Sequence, residues 1–428
     1  MPLVAQLQET GLRFKQRFND ASGGHKPRIG GHLRRSRSNP HGAHLHSKGS
    51  VVQLRSSLEP HSGSVRFASS GRSPARFCRV PVEVSVGNDL IPLLTKSWGL
   101  APPSAVISIP PVRGFDVDAS VFSDEKKADL VFRRGLAEAA RKTGAWVVTG
   151  ALEDGVATLV GRALQNCETP TIGICPYGVV FEKEKLVGGK KEVVQYSACT
   201  GLGKNSRSTS SRLDQMHTHF LLVDDGSADA LGGDRKVREG FERYLSENDA
   251  SGDGVQTPVV MLLINGDAHS LQLVVDALDP NDPVSGGARP VVVMADSGGA
   301  AEDIFQYCNQ EAKVLPTPGP ARSEAYCELA KQLLPRVLEF GKMTGSNSTP
   351  QLAFFAVSDD SSGIGQEQLD LALQKALLND CDTRQKEVLL AVRWGEPLIL
   401  QEQLEKGGSS PSGDPKGQGV VRRHALDP

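Results

Sequence analysis

The apolar run Phe220-Leu221-Leu222-Val223 closes on Asp224-Asp225-Gly226, and His217 and His219 stand just ahead of it. Two carboxylates and two imidazoles this close together could hold a metal ion or divide the work of a general acid and base. The spacing argues against both. Adjacent residues on a strand point to opposite faces, so the two aspartates cannot easily share one task. One is expected to cap the following turn and the other to face a crevice. The two histidines would share a face on a strand, but no third or fourth ligand stands nearby, and no metal site is expected. The seven cysteines, at 78, 167, 175, 199, 308, 327 and 381, form no Cys-x-x-Cys pair and read as reduced structural thiols.

The elements that position these groups alternate along the chain. Strands are expected at 105–109, 145–149, 171–175, 220–224, 258–264 and 290–295. Helices are expected at 124–142, 155–166, 234–248, 269–278, 299–310 and 323–342, the first with Ser123 as N-cap. In that first helix Ala128, Val131, Phe132, Leu136 and Ala139 recur at helical spacing. Continuous Val/Ile/Leu runs between amphipathic helices indicate an α/β, Rossmann-like domain: a parallel sheet with helices on both faces. Right-handed crossovers then gather the strand-end loops on one edge. The loops concerned are 110–114, 150–155, 224–233, 265–268 and 296–299. Helix N-termini and free backbone N–H groups make such an edge suited to a phosphate-bearing nucleotide.

Three ordered motifs go further. They are Trp98-Gly99-Leu100; Phe132-Arg133-Arg134-Gly135-Leu136 followed by Thr143-Gly144-Ala145-Trp146-Val147-Val148-Thr149-Gly150; and the string from Leu213 through Asp214, Met216, His217, His219 and Phe220 to Gly226. Together they resemble the cytoplasmic amino-terminal region (a SLOG, or LOG-like, domain) of melastatin-type transient receptor potential (TRPM) cation channels. The resemblance covers roughly residues 81–405. It implies a cytosolic ligand-sensing or assembly domain of a calcium-permeable cation channel. In some members this domain binds ADP-ribose or a related adenine nucleotide, which is the one cofactor or ligand the resemblance brings.

Carried over residue by residue, the ligand loops match only in part. Pro110-Pro111 stand where the family has Thr-Gly-Gly, and prolines offer no N–H donor. Thr149-Gly150 match a second Thr-Gly-Gly, with Ala151 in place of its last glycine. Leu231 replaces a tyrosine that stacks on ligand, while Arg238 falls where the family has a ligand-contacting arginine. Asn265-Gly266-Asp267 replaces a glycine-rich turn, and Ser297-Gly298 match Ser-Gly-Arg with Gly299 in place of the arginine. The candidate ligand-binding residues are therefore Thr149, Gly150, Asp225, Gly226, Arg238, Gly266, Ser297 and Gly298. Two competing readings remain: loops that only close a packed scaffold, and, for Arg238, a solvated charge on a helix face. An arginine–phosphate pair and an aromatic stack are each worth roughly 1–3 kcal/mol, so their loss weakens any nucleotide site.

Catalysis is not expected. Soluble relatives of the domain include phosphoribohydrolases that resemble lysine decarboxylases, with Pro-Gly-Gly-x-Gly-Thr followed by a glutamate. The corresponding stretch here, Ile264 to Ser270, lacks most of the glycines and the glutamate. No Walker-type lysine follows a strand, and Gly201-x-Gly203-Lys204 lies in a polar insert ahead of one.

Charge and hydropathy set the outer limits. Residues 1–80 carry fourteen Lys/Arg against three Asp/Glu, about +11 in a chain whose net charge is −2. That arm reads as disordered and basic, without the interleaved aromatics of a nucleic-acid binder. No window approaches the ~20 apolar residues needed to span a bilayer. The expected organisation is a basic arm (1–80), the Rossmann-like domain (81–343), a linker (344–365), the start of a helical repeat region (366–406) and a disordered tail (407–428). The short helices at 366–378, 383–394 and 397–406 look like an array cut short, so a truncated or partial chain is expected. Its partners would be channel subunits, with localisation in the cytoplasm or at the cytosolic face of a membrane. The alternatives are a free-standing soluble nucleotide-binding protein of the same fold and, third, a vestigial enzyme.

Overall fold

The computed structural model describes residues 57–68, 71–112, 125–153, 155–189, 193–196, 211–227, 232–250, 256–282, 288–319, 322–342, 350–357, 369–381 and 383–395. The basic arm up to residue 56, Ser123, Leu231, Cys199, the Gly201–Lys204 stretch, the helix expected at 397–406 and the tail lie outside them.

Among the described residues ten strands form one sheet: β1 (Ser62–Phe67), β2 (Ala75–Pro81), β3 (Ala105–Ser108), β4 (Ala145–Thr149), β5 (Thr171–Pro176), β6 (Val194–Tyr196), β7 (His219–Asp224), β8 (Val259–Leu263), β9 (Val291–Met294) and β10 (Leu352–Phe355). Their order is β10-β9-β8-β3-β4-β5-β7-β2-β1-β6. From β10 across to β2 every neighbour is parallel; β1 reverses against β2, and β6 follows β1. The six strands expected from the sequence are all present and run the same way. β3, β4, β8 and β9 are buried at every position, as strands covered on both faces must be.

Helices α1 (Glu125–Thr143) and α2 (Gly155–Leu164) cover one face, and α3 (Arg235–Glu247), α4 (Ala268–Leu278), α5 (Gly299–Asn309) and α6 (Glu324–Gly341) the other. The aromatic motif in β4 acts here. Trp146 lies parallel to Phe241 of α3 with ring centroids 6.2 Å apart, and its indole N–H donates to the Ala101 carbonyl at 3.1 Å. A large apolar surface is buried and its one polar atom is paired, the arrangement a core tryptophan requires.

Three boundaries differ from the sequence reading. The arm does not extend to residue 80: β1 and β2 are sheet strands whose Val65, Phe67, Phe77 and Cys78 are buried. The charge count hid their alternation, Val65/Phe67 inward and Arg66 outward. The segment read as a linker contains β10, paired in parallel with β9. Finally, α7 (Leu369–Asn379) and α8 (Arg384–Trp394) are not a separate helical region. Leu369, Leu373, Leu377, Leu390 and Trp394 share one core cluster with Phe132 and Leu136 of α1 and with β8 and β9. Gly135 permits this: a Cβ there would sit 2.6 Å from Leu369 Cβ, so only a glycine lets α7 lie so close to α1.

Candidate functional site

The chain leaves β3 toward β4 on one side, while β8 returns to the other side of β3 and leads on to β9. Such a switch point is where a parallel sheet opens a crevice outside its carboxyl edge. Among the described residues, the protein's own groups occupy this edge. Pro110, Pro111 and Val112 are buried. The hydroxyl of Ser270, in the first turn of α4, donates to the Pro111 carbonyl at 3.3 Å. Asp267 caps the same helix, accepting from the Ser270 N–H at 2.9 Å. Its carboxylate holds the positive helix end where a ligand anion would have to sit.

The ends of β8 and β9 are tied to each other. The Asn265 N–H donates to Ser297 Oγ at 2.7 Å, Asn265 Nδ2 donates to the Ser297 carbonyl at 2.8 Å, and Ser297 Oγ donates to the Met294 carbonyl at 2.6 Å. At the start of α5, the N–H groups of Ala300 and Ala301 donate to the carbonyls of Gly266 (3.0 Å) and Asn265 (2.8 Å). Two donors that a phosphate cradle would offer are thus spent on the protein's own backbone. Gly299 has φ +58°, and a Cβ there would lie 2.7 Å from Asn265 Oδ1 and 2.9 Å from the Asn265 carbonyl carbon. An arginine at 299 is incompatible with this loop, so the missing arginine and the closed geometry go together.

Arg238 is neither solvated nor presented to a ligand. It is 3% exposed, and its Nη2 donates to the Thr149 carbonyl at the end of β4. Glu242, one turn on in α3, lies 3.6 Å from Arg238 Nη1, accepts from Arg289 Nη1 at 2.9 Å and accepts from the Ser108 hydroxyl. Two guanidinium groups and one carboxylate are therefore buried together beneath α3, pinning that helix to the ends of β3 and β4. The i, i+4 spacing of Arg238 and Glu242 was visible in the sequence; Arg289, forty-seven residues further on, gave no sign.

Thr149 and Gly150 turn inward. Thr149 Oγ1 is 2.5 Å from His217 Nε2, and His217 Nδ1 is 2.7 Å from Asp214 Oδ2. The same hydroxyl accepts from the Ala151 N–H at 3.3 Å, and the Ala151 carbonyl accepts from Asp214 N–H at 2.8 Å. Ala151 has φ +66°, a backbone region a glycine would enter without cost. Hydrogen bonds on both sides hold it there. The order hydroxyl–imidazole–carboxylate matches that of a nucleophile relay, yet Thr149 is 1% exposed and Asp214 and His217 are equally buried. The relay works as an internal pin between the β4 loop and the segment entering β7. Asp214 and His217 at i, i+3 are the signal sequence reasoning passed over.

The two histidines do not converge. His219 alone lies in β7, its ring 5.3 Å from Trp98, and burial pushes its pKa down to about 4, leaving it neutral. Among the described residues no group of three or more His, Cys, Asp or Glu side chains is placed to hold a metal ion. Both aspartates after β7 serve turns. Asp224 accepts from the Gly226 N–H at 3.1 Å and from Arg79 Nε at 2.8 Å; Asp225, exposed, accepts from the Ser227 N–H at 2.9 Å. Asp224 therefore faces β2 and not a crevice. Gly266, Ser297 and Gly298 stand together at the β8 and β9 ends, Thr149 meets Arg238 at the β4 end, and Asp225 and Gly226 lie apart from both.

With this geometry established, similarity to known proteins adds to it. A family model described as SLOG in TRPM matches residues 75–333. The chain is 28% identical over 364 residues to transient receptor potential cation channel subfamily M member 4 of Rattus norvegicus, covering 81% of this chain and 28% of that protein. It is 27% identical over 373 residues to subfamily M member 5 of Homo sapiens, with 82% and 30% covered. Against subfamily M member 1 of Mus musculus it is 30% identical over 369 residues, with 80% and 21% covered. The chain spans less than a third of the length of each of these relatives.

Proposed function

The chain belongs to the family described as SLOG in TRPM, and from that premise we propose that it is a cytosolic assembly and ligand-sensing module of a melastatin-type, calcium-permeable cation channel. The observation that carries this reading is the match over residues 75–333, which takes in the sheet from β2 to β9 and helices α1 to α5. Among the described residues no helix is long and apolar enough to cross a membrane, so the pore would be supplied by other segments.

Of the two roles, assembly leads. The groups a nucleotide would need at the strand ends are engaged within the protein: the first N–H groups of α5 by loop carbonyls, the α4 terminus by Asp267, and Arg238 by Thr149 and Glu242. Binding ADP-ribose would require these contacts to be exchanged, each at a cost of about 1 kcal/mol or more. The role proposed is non-catalytic, in keeping with the burial of the Thr149–His217–Asp214 relay.

A second reading, a free-standing nucleotide-binding protein, draws on the cluster of left-handed positions Asn265, Gly266, Gly298 and Gly299, which leaves bare backbone at the β8 and β9 ends. Two measurements separate these. Co-expression of the tagged chain with full-length subfamily M member 4, followed by affinity purification and sedimentation, should recover a complex; a chain that neither associates with itself nor with the channel sinks the assembly role. Titration calorimetry with ADP-ribose tests the sensing role: saturable binding supports it, and no heat attributable to a specific site removes it and leaves assembly standing.

A further inference from the structure

Proline-directed phosphorylation needs a Ser-Pro or Thr-Pro pair, and four lie within the described residues: Ser73-Pro74, Thr169-Pro170, Thr257-Pro258 and Thr317-Pro318. Sequence alone ranks Ser73 first, because Arg76 follows at a spacing such kinases favour. The structure reverses that order. Ala75 and Arg76 are already the first residues of β2, hydrogen-bonded into the sheet. Thr169 and Thr257 are buried immediately ahead of β5 and β8.

Thr317 is different in kind. It is exposed, in a fourteen-residue connection, 310–323, between α5 and α6 whose described residues carry no helix and no strand longer than one bridge. Connections of that length without regular structure are uncommon in a packed domain and are usually functional. Pro316 and Pro318 each fix their own φ, and Pro318 confines Thr317 to the extended region. Val314 and Leu315, just ahead, are among the few large apolar side chains left exposed. The base of the loop is held firmly: Arg322 donates from Nε to both Asp303 oxygens at 2.9 and 2.8 Å, and the Tyr326 hydroxyl donates to Asp303 at 2.6 Å.

We propose that Thr317, presented by the anchored α5–α6 loop, is a phosphorylation site for a proline-directed Ser/Thr protein kinase. The extended, proline-bounded strand fits a kinase peptide groove without local unfolding, and the apolar side chains ahead of it offer contact surface. In the reaction Thr317 Oγ1 attacks the γ-phosphorus of ATP, the bond to the bridging β–γ oxygen breaks, ADP departs, and the hydroxyl proton passes to the kinase's catalytic aspartate. The product gains a charge of about −2 beside the exposed Val314 and Leu315, on a loop that also carries Glu311 and Lys313.

The test incubates the native chain with ATP and a cyclin-dependent or mitogen-activated kinase and maps phosphate site by site. A synthetic peptide of residues 311–322 and the urea-unfolded chain run alongside. Phosphate at Thr317 in the native chain, lost in Thr317→Ala and Pro318→Ala and restored in Thr317→Ser, is the expected result. Thr169 and Thr257 should be labelled only after unfolding. The proposal is overturned if the peptide is not a substrate, or if the peptide is labelled and Thr317 of the native chain is not. Because Thr317 is exposed, its variants should keep the native melting temperature.

Discussion

Thr149 Oγ1 and His217 Nε2 lie 2.5 Å apart, and through that contact the end of β4 is fastened to the segment that enters β7. His217 is held in turn by Asp214, and all three side chains are buried. Removing the imidazole in His217→Ala leaves a carboxylate and a hydroxyl without their partner. Each such group costs about 1–3 kcal/mol, so urea denaturation should show a large loss of stability. Thr149→Val, which keeps the shape, should cost less. An unchanged denaturation midpoint in His217→Ala would remove the pin from this account.

Gly135→Ala sets two effects against each other. Alanine favours a helix over glycine by about 1 kcal/mol. The Cβ, however, would meet Leu369 Cβ at 2.6 Å, and overpacking of that kind costs about 1–3 kcal/mol. The net change should be destabilising. In a Leu369→Gly background the obstructing Cβ is gone and the sign should reverse. Measuring both single variants and the double variant gives the coupling directly.

Arg238→Ala should behave as a core lesion. It leaves Glu242 with only Arg289 and Ser108, and breaking a buried ion network typically costs about 3–5 kcal/mol. Arg238→Lys keeps the charge but loses the fork, and should fall between. If Arg238→Ala instead melts like wild type while abolishing binding of a nucleotide, the residue faces a ligand after all.

Burial pushes the Asp380 carboxyl from its ordinary 3.8 up to about 7, partly offset by the Val259 N–H it accepts at 2.7 Å and by Arg289. A folded-state value above the unfolded one means the native chain holds the extra proton. The associated stability is complete below about pH 4 and is lost as pH rises through 7. Glu239, also raised to about 7 by burial, acts in the same direction. In Asp380→Asn, which keeps an oxygen for Val259, the fall in melting temperature between pH 5.5 and 8.5 should be smaller than in wild type. Parallel curves for the two proteins would refute the assignment.

Much of this architecture was legible in the residues. Unbroken apolar runs such as Val259–Leu263, set between helices with one apolar stripe, admit few arrangements other than a covered parallel sheet. Two of the motifs were informative for a reason the sequence did not state: in the string from Leu213 to Gly226, Asp214 and His217 belong to the pin, and in Thr143–Gly150, Trp146 belongs to the stack on Phe241. Reading failed where polarity masked a strand, as in β1 and β2, or where a short apolar piece sat in a polar Ser/Asn/Asp/Gly-rich stretch, as in β10.

The site divides along the same line. That Pro110-Pro111 cannot make a backbone cradle follows from local chemistry, because proline has no N–H to donate and fixes its own φ. Which partners the remaining polar groups choose is not local. Arg238 reaches Thr149 eighty-nine residues away, Asn265 takes Ser297, and Ser270 takes Pro111. By itself, then, the sequence determined the period of each element and the backbone freedom of each loop. Tertiary structure alone decided which donors and acceptors meet and which hydroxyls stay outside, since burial and pairing depend on groups far apart in the chain being brought to within about 3 Å.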